Sequence, residues 1–277
     1  MARYLMAIDS SKCMACHNCF VACKDEHCGF DSLPVSKAQP HMGHAWMRID
    51  ERERGDTNKF VRTATVATPC SHCRDPKCKV DGDEAVYTRP DGIVIIDPIK
   101  SEGRKDIVDK CPIGAIYWNE DLNIPQKCTM CAHLLDEGYK MPRCVEVCPN
   151  GAMCFGDLDD SNSPIHEFIN NGKVTQLTPL TGIDTGVIHL NIPSVFLAGS
   201  VYLPGDEPCV GAKVSVTNKE GQFSSVETND FGDWIIEDLV KGDSYDLSIE
   251  FDGYSEIKCK LVVENDHDIG ELYLEKM

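Results

Sequence analysis

Twelve of the sixteen cysteines in this 277-residue chain lie in groups before residue 150, most of them separated from the next by two to four residues. Thiols so close along a chain pair poorly as disulfides, because the bridge requires a set separation of the two Cα atoms. They can instead present their sulfurs to one metal centre. The groups are Cys13-x2-Cys16-x2-Cys19-x3-Cys23, Cys70-x2-Cys73-x4-Cys78, Cys111-Pro112, and Cys128-x2-Cys131-x12-Cys144-x3-Cys148-Pro149.

A cubane 4Fe–4S cluster fits these groups, because each of its four iron corners binds one thiolate. In two-cluster ferredoxins three cysteines of a run bind one cluster, and the fourth binds the other cluster. A proline after that fourth cysteine fixes φ and has no N–H, which helps to turn the chain away. The spacing predicts three clusters with these ligands: Cys13, Cys16, Cys19 and Cys148 (first quartet); Cys23, Cys128, Cys131 and Cys144 (second quartet); Cys70, Cys73, Cys78 and Cys111 (third quartet).

The middle of the chain lacks the cysteines that a fourth cluster would need. Ferredoxin spacing counted forward from Cys78 and back from Cys111 reaches four positions, and none of them is a cysteine. Because the whole set is absent together, we expect a cleanly deleted cluster whose place is filled by side chains. The four positions are Gly82, Ser101, Arg104 and Ile107.

Two other uses of the cysteines compete with this interpretation. Structural zinc also binds C-x2-C pairs, but the ferredoxin spacing and the two Cys-Pro endings favour iron–sulfur clusters. A disulfide scaffold is less favoured in a long chain without a visible export signal. A single Cys209–Cys259 disulfide stays open as an alternative.

Several residues near the quartets are given structural roles. We expect His17 and His72, inside the cysteine loops, to lie beside a cluster or on the surface, since the three quartets are complete without them. Trp46, Trp118 and Trp234 are expected in the core. The remaining cysteines are expected to be buried or spare thiols; these are Cys28, Cys154, Cys209 and Cys259.

Charge and hydropathy divide the chain in two. Residues 1–194 hold 21 Lys and Arg against 27 Asp and Glu, a net charge of −6, whereas residues 195–277 hold 6 against 18, a net charge of −12. In the second part apolar and polar residues alternate, as from Tyr245 to Phe251, which is typical of a small β-sandwich. We therefore predict an α+β chain with a ferredoxin-like domain at 1–194 and an all-β sandwich at 195–277.

Local patterns predict a few elements around the cysteines. The 46 residues between Cys23 and Cys70 contain two β-type runs, at 45–50 and 59–66, which we interpret as a hairpin. The apolar run at 93–96 predicts a short buried strand.

The composition excludes some partners. A net charge of −18 argues against nucleic acid, because phosphate backbones require stripes of Lys and Arg. No apolar run approaches the roughly 20 residues of a membrane helix. The N-terminus shows neither a basic segment followed by an apolar stretch nor a twin arginine, so we expect a cytoplasmic protein without a membrane partner.

The cysteine motifs resemble the iron–sulfur subunits of molybdopterin oxidoreductases of the dimethyl-sulfoxide-reductase family. The resemblance covers about residues 1–194, and it implies a large catalytic partner subunit that carries the molybdopterin cofactor. Members usually have four clusters, so this chain departs from the family at the four positions above. The motifs are the Cys13–Cys23 run, Cys-Ser-His-Cys at 70–73, Cys-Pro-Ile-Gly-Ala at 111–115, Lys-Cys-Thr-Met-Cys at 127–131, Cys-Val-Glu-Val-Cys-Pro at 144–149 and Phe-Gly-Asp-Leu-Asp-Asp at 155–160.

The C-terminal part resembles transthyretin-like, carboxypeptidase-regulatory-like sandwich modules. The segments that carry this resemblance are 199–201, 211–216, 228–234 and 251–254.

Electron transfer is the predicted function, because each cluster exchanges one electron and no substrate-binding or nucleophilic constellation is visible. The leading hypothesis is a non-catalytic relay subunit in a heterodimer with a molybdenum enzyme. A free polyferredoxin and the electron-transfer subunit of a respiratory reductase are the alternatives.

Overall fold

The computed structural model describes residues 2–55, 59–79, 82–175, 177, 180 and 182–277. Contacts between residues divide the chain into two compact units. The first comprises Met1–Glu51 and Thr65–Ile192, and the second comprises Arg52–Ala64 and Pro193–Met277. The division near residue 193 lies close to the predicted domain boundary, but residues 52–64 belong to the second unit and not, as predicted, to the first.

The elements up to residue 190 are short and are separated by loops that carry the cysteines. Strands are β1 (Tyr4–Asp9), β2 (Met47–Arg54), β3 (Arg62–Pro69), β4 (Val86–Thr88), β5 (Val94–Ile96), β6 (Tyr117–Asn119), β7 (Ile124–Gln126), β8 (Met153–Asp157), β9 (Val174–Thr175) and β10 (Val187–Leu190). Helices are α1 (Asn18–His27), α2 (Ala132–Asp136), α3 (Arg143–Glu146) and α4 (Pro164–Asn170), with 3-10 turns at Ser10–Lys12 and Lys105–Lys110.

The main sheet of the first unit has the order β8-β1-β10-β9. Strand β1 pairs antiparallel with β8, and Ile8 lies opposite Met153. Cys13 follows Ile8 by five residues, and Cys148 precedes Met153 by five. The register therefore carries the first cysteine group and the last cysteine to the same end of the sheet.

Two of the smaller predicted elements are present. Strands β2 and β3 pair with each other, so the predicted hairpin is confirmed. Strand β5 is buried at all three of its positions and pairs antiparallel with β4. Among the described residues, no helix has both the length and the apolar character that a bilayer crossing requires.

The second unit is built almost entirely of strands. They are β11 (Val195–Leu203), β12 (Glu207–Pro208), β13 (Lys213–Asn218), β14 (Phe223–Glu227), β15 (Asp233–Leu239), β16 (Ser244–Glu250), β17 (Ile257–Val262) and β18 (His267–Tyr273).

These strands form two four-stranded sheets. One has the order β12-β11-β15 with β18 also paired to β11, and the other has the order β14-β13-β16-β17. Residues of both sheets, including Leu197 on β11 and Leu247 on β16, share one hydrophobic cluster. The predicted alternation holds on β16, where Tyr245, Leu247 and Ile249 are buried. On β17, at the edge of the same sheet, Ile257 and Leu261 are partly buried and only Cys259 departs from the alternation, because it is exposed.

The described residues between 52 and 64 make side-chain contacts within the second unit. Arg54 forms an ion pair of 2.6 Å with Asp266, and Lys59 forms one of 2.8 Å with Asp233. Phe60 and Phe196 lie in one small buried cluster.

Candidate cluster sites

The cysteine loops share a backbone conformation. In three of the four C-x2-C pairs the residue before the second cysteine has a positive φ: 53° at Ala15, 45° at His72 and 54° at Met130. A left-handed residue tightens each loop, so that the sulfurs on both sides can face one point. The conformation is costly for a residue with a side chain, and its repetition at three loops indicates a common constraint.

The first quartet lines one cavity. Cys13, Cys16, Cys19 and Cys148 all contribute to its wall, together with apolar side chains such as Ile49 and Met153. The pairing of β1 with β8 places Cys148 beside the N-terminal loop. Cys16 is exposed and Cys19 is buried, so this cavity lies near the surface.

The second quartet is brought together by two helices. Cys23 lies on α1 and Cys144 lies on α3, and these helices pack against each other. All four members, including Cys128 and Cys131, are buried. Burial raises the pKa of Cys144 far above its usual range, and the nearby thiols of Cys131, Cys128 and Cys23 raise it further.

The third quartet lines a second cavity. Cys70 follows β3, Cys73 forms a backbone bridge with Thr185, and Cys111 ends the 3-10 turn Lys105–Lys110. Together with Cys78 these cysteines line the wall. Each predicted quartet is thus assembled in the structure, including the crossover of Cys23 and Cys148; that the members bind iron stays a prediction.

Backbone N–H groups donate to four of these sulfurs in a repeated pattern. The first cysteine of a C-x2-C pair accepts from the residue two positions later: Cys70 from His72 at 3.5 Å and Cys128 from Met130 at 3.3 Å. The cysteine of each Cys-Pro pair accepts from the residue four positions later. These bonds are Ala115 N–H to Cys111 Sγ at 3.3 Å and Ala152 N–H to Cys148 Sγ at 3.2 Å.

The electrostatics of the thiols suit a cationic centre. Burial raises the pKa of Cys19, Cys78 and Cys128 to about 11. The pKa of Cys131 rises to about 12 for the same reason. A cysteine binds a metal as its thiolate. Iron supplies the positive charge that would stabilise buried thiolates. The donor sets therefore fit 4Fe–4S clusters.

No three His, Cys, Asp or Glu side chains of the described residues converge to hold a single metal ion. The first and third quartets instead surround cavities, as a four-iron cube with one thiolate at each corner requires.

Neighbouring quartets interact in a linear order. The thiol of Cys19, in the first quartet, raises the pKa of Cys23 and of Cys144 in the second. Cys70, in the third quartet, similarly raises the pKa of Cys128 in the second. In both cases burial is the larger cause. The second quartet is therefore the link between the other two.

Apolar side chains occupy part of the region predicted for the deleted cluster. Ile107 is fully buried in a hydrophobic cluster against which Cys78 and Cys111 pack. Ser101 is also fully buried. The positions are joined along the backbone, because Arg104 N–H donates to Ser101 O at 3.0 Å and Ile107 N–H donates to Arg104 O at 3.3 Å.

Charged side chains cover the rest of that region. Arg104 pairs with Asp83, which follows Gly82, and with Asp106 at 2.8 Å. The guanidinium lowers the pKa of Asp106 to about 2. The absence of a fourth cluster remains a prediction, supported by this ion pairing where cysteines would otherwise stand.

Two residues beside the quartets, His27 and Lys127, were not predicted to be buried, although Lys127 begins the Lys-Cys-Thr-Met-Cys motif. His27 is buried, and its Nε2 lies 3.6 Å from the Sγ of Cys131. Burial lowers the pKa of His27 to about 4, so its ring is neutral near pH 7. Lys127 is buried beside Cys128 and lines the cavity of the third quartet. Their depth depends on packing between distant segments and could not be read from spacing.

The other predicted residues lie as follows. His17 is half exposed and bonds Glu51 at 2.9 Å, whereas His72 is fully buried. Trp46 and Trp234 are buried, as expected, and Trp118 is partly exposed. The four remaining cysteines are free thiols, with Cys209 buried and Cys259 exposed.

The comparisons with known proteins agree with these sites. The 4Fe-4S dicluster domain family matches residues 61–158. The pyrogallol hydroxytransferase small subunit of Pelobacter acidigallici is 37% identical, over 99% of this chain and 100% of the relative. This protein belongs to the iron–sulfur electron-transfer subunits of the dimethyl-sulfoxide-reductase family of molybdopterin enzymes.

Other members of the family match a smaller part of the chain. A putative dimethyl sulfoxide reductase iron-sulfur subunit of Halobacterium salinarum is 32% identical, over 69% of this chain and 80% of its own. One chain of the anaerobic dimethyl sulfoxide reductase of Escherichia coli is 33% identical, over 57% and 75%. Among solved structures, hydroxyquinol 1,2-dioxygenase from Pseudomonas putida DLL-E4 matches over 30% of this chain and 56% of its own, at 10% identity and with a TM-score of 0.25.

Proposed function

We propose that this chain is the electron-transfer subunit of a cytoplasmic pyrogallol–phloroglucinol transhydroxylase, in which hydroxyl groups pass between polyhydroxybenzenes at the partner's molybdenum site. The observation that carries this proposal is the full-length similarity to the Pelobacter small subunit. The two reductase subunits described above match 69% or less of the chain.

We propose three 4Fe–4S clusters, one in each quartet, as the electron path. Bound clusters would supply one-electron storage. The chain's own residues hold the thiols in order, bury the middle quartet and donate backbone N–H groups to the sulfurs. Burial and such hydrogen bonds set cluster potentials. The partner would be a large molybdopterin subunit, forming a heterodimer or a multiple of it, and substrate chemistry would take place on that partner.

The deleted fourth cluster supports a transhydroxylase over a respiratory reductase. A relay that ends at the third quartet lacks the further site through which electrons would leave for a membrane partner. Hydroxyl transfer between two polyhydroxybenzenes needs no net supply of electrons. The clusters would then set or restore the redox state of the molybdenum without a steady flow.

We further propose that residues 195–277 form a transthyretin-like sandwich that folds as its own domain and contacts the partner subunit. Two four-stranded sheets with a shared hydrophobic cluster support this assignment.

Anaerobic purification of the full chain with its natural partner tests the function. We expect a stable complex that contains molybdenum and transfers hydroxyl groups without quinone. Dependence on a quinol or another electron donor at every turnover would contradict the proposal and favour the respiratory reductase. A chain that purifies alone would favour a free polyferredoxin.

A further inference from the structure

One lysine of the first unit is buried without a carboxylate partner. Lys127 is 2% exposed, and its Nζ donates to the carbonyl oxygens of Val94 at 2.5 Å and of Cys128 at 3.0 Å. No ion pair with a carboxylate is found for it among the described residues. A buried charge is costly unless an opposite charge compensates it, so this ammonium requires an anionic neighbour.

The nearest candidate for that neighbour is the third quartet. Lys127 lines the cavity that Cys70, Cys73, Cys78 and Cys111 surround. Its two hydrogen bonds hold the ammonium at this wall, between the carbonyl oxygen of Val94, which also lines the cavity, and that of Cys128.

A second donor lines the same cavity. His72 is fully buried, and its Nδ1 accepts from Val94 N–H at 3.1 Å. The neutral ring must then carry its proton on Nε2. That nitrogen is buried and has no hydrogen-bond partner among the described residues. Val94 thus holds both side chains, the lysine through its carbonyl oxygen and the histidine through its N–H.

We propose that Lys127 is the fixed counter-charge of the cluster in the third quartet, and that Lys127 and the Nε2–H of His72 raise the reduction potential of that cluster. The inference rests on the proposed binding of a cluster there. Reduction adds one electron to a centre that its four thiolates already make anionic. A positive charge held in a poorly polarisable interior stabilises the added electron more than a hydrated charge does.

Lys77 provides a matched control at the rim of the same cavity. It also lines the wall, but its side chain is 61% exposed and lies 3.8 Å from Asp75. Water and salt screen such a charge. The comparison of Lys127→Met with Lys77→Met therefore separates a buried charge from an exposed one.

Redox titration of the purified full-length protein, followed by electron paramagnetic resonance, tests the inference. Iron and sulfide are measured first, and the third cluster is recognised as the signal that Cys111→Ala removes. Lys127→Met should retain twelve irons and lower the equilibrium constant for reduction of that cluster about tenfold, which is 59 mV for a one-electron couple. Lys77→Met should change the same equilibrium constant by less than about twofold.

An unchanged potential in a fully loaded Lys127→Met protein would overturn the inference, and so would an equal shift in Lys77→Met. Fewer than twelve irons in the unmodified protein would instead refute the three-cluster proposal.

A second measurement keeps the test decisive if Lys127→Met fails to assemble. The Lys77→Met protein, labelled with 15N at the ε-nitrogen of lysine alone and reduced, should show a weak magnetic coupling between the third cluster and a lysine nitrogen. Absence of this coupling would overturn the inference without any change at Lys127.

Discussion

The two units of this chain have different kinds of interior. The main core of the first unit includes five buried cysteines among its apolar side chains. The core of the second unit is almost entirely hydrocarbon from two sheets, such as Leu197 on one and Leu247 and Ile249 on the other. Hydrocarbon packs favourably by itself, whereas buried thiols at metal-ligand spacing do so only as part of a metal centre. We infer that the first unit depends on its clusters for stability and that the second does not.

Removal of all iron should produce the largest difference in stability between the two units. We expect an anaerobic chelator to abolish hydrogen-exchange protection throughout residues 65–192, because cluster binding and folding are coupled there. Protection of β11, β13, β15 and β16 should persist. Hydrogen exchange followed by mass spectrometry makes the measurement, and a protected first unit after iron loss would contradict the inference.

Loss of one cysteine should remove one cluster. Cys23→Ala should reduce the iron content by about four of twelve and should affect the cluster of Cys128, Cys131 and Cys144, because a cubane needs a ligand at each corner. Cys28→Ala is the matched control, since Cys28 is a free thiol outside the quartets that donates to Pro40 O at 3.6 Å. Spectra that show loss of the cluster of Cys13, Cys16 and Cys19 would reject the crossover.

A cavity-forming substitution in each core should show which of the two cores supports iron binding. Ile107 and Leu247 are each at most 1% exposed, one in each unit. Ile107→Ala and Leu247→Ala should each lower the free energy of unfolding of their own unit by about 2–5 kcal/mol. Only Ile107→Ala should make iron easier to release, as a chelation time course would show. Equal iron release from both variants would mean that the units are not independent.

The smallest effect is expected at Lys59, in the second unit. Burial lowers its pKa, but bonding to Asp233 outweighs burial and raises it. Because the folded pKa is raised, the stabilising contribution is complete below the unfolded pKa of about 10.4 and is lost as the pH rises through the folded pKa. Lys59→Met should lower the free energy of unfolding of the second unit by up to about 1 kcal/mol at pH 7. It should also remove the decrease in that free energy at alkaline pH. Denaturant titrations of the second unit at pH 7 and above pH 10 measure it; an alkaline loss that survives in the variant would contradict the assignment.

The ferredoxin spacing was enough to predict which cysteines come together, because a cubane needs four thiolates and the fourth cysteine of a run binds the other cluster in two-cluster ferredoxins. The register of Ile8 with Met153 carries out the crossover that the spacing implies. The alternation of β16 likewise predicted which of its side chains are buried.

Features that depend on packing between segments without a shared motif were not predicted. The burial of Lys127 and His27 arises where distant segments meet, and neither a motif nor a period shows the depth of a side chain. Arg54 and Lys59 lie in the insertion between Cys23 and Cys70, and their ion pairs with Asp266 and Asp233 are contacts within the second unit. The exposure of Cys259 follows from its edge strand, and alternation alone cannot distinguish an edge from a centre.

Iron, acid-labile sulfide and zinc analysis of the anaerobically purified full-length protein tests the central claim most directly. Three 4Fe–4S clusters predict twelve irons and twelve sulfides per chain, with no stoichiometric zinc. Stoichiometric zinc without labile sulfide would contradict the assignment of the cysteines, and sixteen irons would contradict the deletion of the fourth cluster at Gly82, Ser101, Arg104 and Ile107.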